Sequence, residues 1–321
     1  MRIKNYPKIF YLTCGLLADG DRRYDRSDTD VAALAEKIHR AAQEVSLDAD
    51  VLQWFNLAKT AQVDGNPYWP RGHAMLIAAL YEEDSARLDI DQFMESLEKA
   101  GMTDPVGAKE FREWISRLPE ILTYTESMFR GFWKEYCEIM FARTNAWMAE
   151  VEASRLPLKE FYGTRTPSLI LAANLFANPF VADFVRPPNH EEEALIVIAS
   201  KPDVENMLQE ALRDKVAAHK KKIAAFCKTN GVAGFVDEEK MKDIGYIREG
   251  DITTMVHTME DCFVRALSTI LAGGGMGRMK SHINIGFSGL PAIAEYYEEH
   301  RPKAIRLGEF IDAVLEGMAS S

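Results

Sequence analysis

The residues whose spacing is most suggestive of chemistry are Gln209-Glu210-Ala211-Leu212-Arg213. On a helix, positions i and i+4 share a face. An H-E-x-x-H segment uses that face to aim two histidines at one zinc ion, while the glutamate beside the first activates a bound water. Here the frame is present with both histidines replaced. Gln209 offers only a neutral amide, a poor zinc ligand, and Arg213 is always protonated and can only donate. Glu210 keeps the general-base position. The spacing is compatible with two arrangements. In one, Arg213 replaces the metal electrostatically, pairing with Glu210 and with a second carboxylate from further along the chain. In the other, the segment is an ordinary solvated helix in which Glu210 and Arg213 form an i, i+3 pair worth ~0.2–0.5 kcal/mol.

The motif needs a helix and something to hold it. Ile196–Phe226 supplies both on paper: a short apolar strand, a break at Ser200-Lys201-Pro202-Asp203, then one long amphipathic helix. His219 and Lys220-Lys221-Lys222 fall in its C-terminal part, where cations complement the helix dipole. A second amphipathic helix follows, with Val256, Met259, Phe263, Leu267 and Ile270 on its apolar face. It carries His257 three residues before Glu260, so those two side chains can share a face, with Asp261 adjacent.

Other candidate groups read more simply. His190 precedes Glu191-Glu192-Glu193 without a second histidine at ligand spacing, so the run is expected to be solvated. His39 and His73 each stand alone on helical segments. Gly273-Gly274-Gly275-Met276-Gly277-Arg278 follows a helix, whereas phosphate-binding glycine loops follow a strand; it reads as a helix-ending loop that can flap over a cleft. Cys14, Cys137, Cys227 and Cys262 are far apart and fit reduced thiols better than a disulfide framework.

The net charge of -11 argues against nucleic acid as a partner, because phosphate binding rests on clustered Lys and Arg. No apolar run reaches the ~18 residues that a membrane span needs. The N-terminal stretch has an apolar run, but Asn5 and Pro7 interrupt it and no A-x-A-like cleavage site follows, so it is read as the first structural element of a cytoplasmic protein.

Helical spacing recurs through the first half: Leu34, Ala35, Ile38, Ala41 and Ala42; then Leu52, Trp54, Phe55 and Leu57; then an aromatic-rich helix from Ile121 to about Val151. Its Tyr124, Phe129, Phe132, Trp133, Tyr136, Phe141 and Trp147 are expected to pack in a core rather than to form a ligand box. After Pro157 the texture changes. Ser168–Ala173 and Ala194–Ala199 are compact apolar runs, read as two buried strands separated by turn material. The fold class is therefore α+β, mainly helical, with a small sheet beside the pseudo-motif helix. A helical region 1–155 and a second region 156–321 are expected to pack as one unit.

Phe161-Tyr162-Gly163, the two strands and the Q-E-x-x-R helix together resemble gluzincin-type zinc metallopeptidases, and in particular bacterial domains of unknown function with a helical N-terminal half. Tyr296–Met318 resembles their closing helices, so the likeness covers most of the chain. The resemblance implies a third zinc ligand from the next core helix. Glu260 is the better match and Asp261 the alternative. Gln209, Arg213 and Glu260 then mark a vestigial metal site, Glu210 and Glu260 are vestigial catalytic candidates, and Tyr162, His257 and Asp261 would border the cleft. With both histidines gone, no metal or cofactor is expected. The implied function is a non-catalytic relative that binds a peptide or protein segment; the alternatives are a hydrolase with a non-standard metal or carboxylate centre and a helical scaffold with an accidental motif.

Overall fold

A computed structural model describes residues 2–45, 47–60, 74–75, 77–79, 82, 113–162, 168–177, 183–185, 194–300 and 307–319. The chain divides into two compact units, Met1–Val151 with Pro167–Pro202, and Glu152–Thr166 with Asp203–Ser321.

The first unit contains the sheet. Strands β2 (Ser168–Ala173) and β4 (Ala194–Ala199) pair in parallel, residue for residue from Ser168↔Ala194 to Ala173↔Ala199. Both apolar runs end where sequence reasoning places them, and their near-continuous hydrophobicity suits parallel strands covered on both faces. Sequence reasoning does not identify the two outer strands. β1 (Arg2–Lys4) pairs in parallel with β2, and β3 (Asp183–Val185), within the expected turn material, adds antiparallel to β4, giving the order β1-β2-β4-β3. Because β1 belongs to the first residues of the chain, it ties the sheet to the N-terminal helices. The strands between 168 and 199 therefore belong to the same unit as the N-terminal helices, and the chain passes between the units after Val151, Thr166 and Pro202.

Around this sheet lie α1 (Pro7–Ala18), α2 (Thr29–Val45), α3 (Ala49–Thr60) and α4 (Leu118–Phe129). Gly15 lets α1 approach α3, since a Cβ there would stand 2.1 Å from the Phe55 ring. Trp54 and Trp114 each donate their indole N–H to the other's backbone carbonyl, at 2.8 and 3.1 Å, with their rings stacked 4.4 Å apart. The expected long aromatic helix is interrupted by a 3-10 turn at Arg130–Phe132, after which α5 runs from Trp133 to Tyr162. Phe129 and Tyr136 are buried as expected, whereas Phe141 is 80% exposed.

The described second unit is helical. It comprises α6 (Val204–Ala217), α7 (Lys220–Asn230), α8 (Glu238–Asp243), α9 (Ile252–Leu271), α10 (Gly275–Asn284), α11 (Leu290–His300) and α12 (Leu307–Ala319). Central α9 packs against α6, α7, α10 and α11 through Met259, Phe263 and Leu267, all buried with Leu212, Ile223 and Ile293. Asp251 caps α9 by accepting from the Thr253 backbone N–H at 2.9 Å.

The long helix expected through Phe226 is two helices, broken by a turn in which the His219 N–H bonds the Val216 carbonyl at 2.8 Å. Lys220–Lys222 consequently open a helix, where the dipole opposes cations, instead of closing one. Lys222 is offset by an ion pair with Asp312 of α12. The break also seats the His219 ring against Gly308, where an added Cβ would lie 2.7 Å from it.

Candidate functional site: a polar seam between two helices

Helices α6 and α9 meet along a polar seam embedded in the apolar contact. On α6 it contains Glu205, Gln209 and Arg213, spaced i, i+4, i+8; on α9 it contains Asp261, Arg265 and Thr269 at the same spacing. Four-residue steps line up on one helical face. Arg213 pairs with Asp261 at one end, and the Thr269 hydroxyl donates to Glu205 Oε1 at 2.7 Å at the other. The early residue of one helix thus meets the late residue of the other, so the helices run antiparallel.

At the Arg213 end, Asp261 and not Glu260 is the partner carboxylate. Successive helical residues point about 100° apart, so only one of the two can face α6 squarely. Asp261 Oδ2 also lies 4.0 Å from Arg265 Nη2. Glu260 is half-buried, and its Oε1 has no hydrogen-bond partner among the described residues. Burial raises its carboxyl above the usual range, with Asp261 adding to the rise and Lys220 and Arg213 opposing it. Lys220 Nζ donates to His257 Nε2 at 3.1 Å. Burial, followed by the charge on Lys220, lowers the imidazole below the ordinary histidine range.

At the opposite end, Glu205 is 5% exposed. Besides Thr269, its carboxylate accepts from His282 Nε2 at 2.6 Å, Arg278 Nη1 at 3.0 Å and Gln209 Nε2 at 3.4 Å. Burial alone would push this carboxyl up. The bonds from His282, Thr269 and Arg278 outweigh it and bring it down to about 2.

His282 and Arg278 reach Glu205 from α10 because the glycine run lets that helix start immediately behind α9. The Gly274 N–H bonds the Thr269 carbonyl at 2.9 Å. A Cβ on Gly274 would stand 2.7 Å from Arg278 Cδ, so its absence lets the arginine fold back toward Glu205. The run ends α9, as expected, and also opens α10, which sequence reasoning does not anticipate.

The two ends are joined through Arg265. Its Nη1 lies 3.1 Å from His282 Nδ1, and its guanidinium stacks on Phe287 with 4.6 Å between the guanidinium carbon and the ring centroid. A continuous chain therefore runs Arg213–Asp261–Arg265–His282–Glu205.

The structure thus brings together Gln209, Arg213 and Asp261 along the seam, with Glu260 and His257 on neighbouring faces of α9. The backbone of Glu210 lies in α6 and that of Tyr162 ends α5, but their side chains are outside the described residues, as are His73 and the 190–193 run. Sequence reasoning passes over Glu205, Arg265, Thr269 and His282, and meets Arg278 only as the end of the glycine run. The available signal was the four-residue spacing of Glu205 with Gln209 and of Arg278 with His282. Among the described residues no group of three or more His, Cys, Asp or Glu is placed to hold a metal ion. A separate cavity of about 360 Å³ lies between α7 and α12, against Phe226 and Leu315 with Lys222 and Asp312 beside them. Within the described residues no helix is long and apolar enough to cross a membrane. Comparisons with family models, curated proteins and solved structures gave no match for this chain.

Proposed function

We propose that this chain is a non-catalytic, metallopeptidase-like protein that binds a peptide or protein segment, with Arg213 acting as a fixed cation where a metallopeptidase would hold its metal. The observation that carries the reading is the Arg213–Asp261 pair. It joins the second histidine position of the degenerate motif to the neighbouring helix from which a third metal ligand would come. Gln209 lies on the same stripe of α6, bonded to Glu205. A guanidinium supplies positive charge and directional donors but can neither polarise a carbonyl as a Lewis acid nor carry an activated water. Such a centre organises two helices without hydrolysing a bond.

A second reading, a hydrolase built on a non-standard carboxylate centre, is favoured by Glu260. A half-buried carboxyl with a raised proton affinity and a buried oxygen that lacks a hydrogen-bond partner among the described residues is the kind of group that acts as a general acid or base.

Elemental analysis of protein purified without chelator or affinity tag, run beside the double variant Gln209→His, Arg213→His, tests the metal-replacement reading, and hydrolase activity lost in Glu260→Gln tests the second. Zinc in the variant and none in the wild type supports the metal-replacement reading. A full equivalent in the wild type overturns it in favour of a metal centre built from other ligands. No metal in either removes the metallopeptidase element and leaves a helical scaffold with an accidental motif.

A further inference from the structure

Arginine can only donate and an ionised carboxylate can only accept, so the contacts of His282 fix its protonation. Its Nδ1 accepts from Arg265 and its Nε2–H donates to Glu205, which makes it a neutral imidazole bridging α9 and α6 from its place on α10. We propose that His282 is a proton-operated latch: neutral, it holds α10 to both helices; protonated on Nδ1, it repels Arg265 and α10 parts from α9.

The surroundings favour this outcome. The His282 and Arg265 side chains are only 15% and 16% exposed, so solvent screens the new pair of cations weakly. Arg265 already has a buried Nε with no acceptor among the described residues, and its remaining anionic neighbour, Asp261, is 4.0 Å away and paired with Arg213. The charged groups around His282 are Glu205 on α6 and, through Arg278, Asp203 just before that helix; Arg265 and, behind it, Asp261 on α9; and Arg278 on its own helix. Helix α11 also packs on α10, and among the described residues none of its charged groups, Glu295, Glu298, Glu299 or His300, is bonded to His282. The carboxylate facing Nε2 is held ionised by its bonds from His282, Thr269 and Arg278, which bring its carboxyl down to about 2.

Protonation strengthens the bond to Glu205 while abolishing the one to Arg265. The proton comes from solvent and needs no other reactant. The change therefore moves α10 away from α9 without releasing it from α6.

Hydrogen exchange of the α10 amides, corrected for intrinsic rate and measured at about pH 8 and about pH 5, spans the range in which imidazoles change charge. In the wild type, protection of residues 275–284 should fall about tenfold or more on acidification, the scale of one lost hydrogen bond to a charged group. In His282→Gln, whose amide can donate to Glu205 and accept from Arg265 at any pH, that fall should vanish. An equal fall in the variant, or none in the wild type, would overturn the latch. Side-chain nitrogen NMR of the wild type gives a test that does not depend on the variant folding. At neutral pH, Nδ1 of His282 must be unprotonated and Nε2 protonated, and either the opposite tautomer or an imidazolium at that pH defeats the proposal.

Discussion

Arg213 on α6 and Asp261 on α9 form the ion pair that closes one end of the seam, while Glu260, one residue before Asp261, keeps a buried oxygen without a hydrogen-bond partner among the described residues. The pair is only partly sheltered, with the two side chains 37% and 16% exposed, so its value should lie toward the upper end for accessible pairs. A double-mutant cycle with Arg213→Ala and Asp261→Ala, read by urea unfolding, is expected to give a coupling of about 1 kcal/mol. The matching cycle between Arg213 and Glu260 should come out much smaller. A larger coupling to Glu260 would reverse the assignment of the partner.

Glu260 should act in the opposite sense from a paired carboxylate. Its proton affinity is raised in the folded chain, chiefly by burial, so the ionised form is disfavoured there relative to the unfolded chain. The resulting destabilisation is present at neutral pH and disappears once the pH is below the unfolded carboxyl's range. Glu260→Gln should therefore stabilise the protein at pH near 7, and the gain should vanish once the pH is below the unfolded carboxyl's range. Unfolding midpoints at the two pH values check this. A variant that is less stable at neutral pH would show that the carboxylate is stabilised by its surroundings.

For Glu205 the sign is reversed, because its folded value of about 2 lies below the ordinary 4.5. A depressed carboxyl contributes stability that is complete above the unfolded value and is lost as the pH falls through the folded one, here between about 4.5 and about 2. Glu205→Gln removes the charge that Arg278 and His282 address, and is expected to cost about 3 kcal/mol near neutrality, as for breaking a buried pair. The variant's acid unfolding curve should lack the component in that window, so the two proteins converge in stability toward its lower end. Parallel acid limbs would mean that Glu205 is not held by these bonds.

What could be read from the sequence depended on whether a feature was local. β2 and β4 were legible because an apolar hexamer between turn residues identifies itself. β1 was not, because three residues including Arg2 and Lys4 become a strand only by pairing with a partner more than 160 positions away. The break before α7 was hidden because helical periodicity in Ile223 and Cys227 continues past it, and the His219 ring beside the turn lies against Gly308, 89 positions on. At the site, Gln209 and Arg213 stood out because a motif frame calls attention to them. Glu205 lies in the first turn of α6, where an acid is ordinary, and only tertiary structure surrounds it with Thr269, Arg278 and His282.

Gly274 tests whether the glycine run exists for the seam. Its φ of -73° is open to any residue, so a substitution there adds no backbone strain and acts only through space. The added Cβ of Gly274→Ala would meet Arg278 Cδ at 2.7 Å and the Thr269 carbonyl oxygen at 3.2 Å. The arginine side chain is the softer obstacle, so it should be displaced from Glu205 at a cost of about 1–2 kcal/mol, typical of overpacking. In an Arg278→Ala background the main clash is gone and the bond to Glu205 is already lost, so the same substitution should cost far less. Chemical denaturation of the four proteins measures this. Additive losses would place the effect on the Thr269 carbonyl and separate the glycine from the positioning of Arg278.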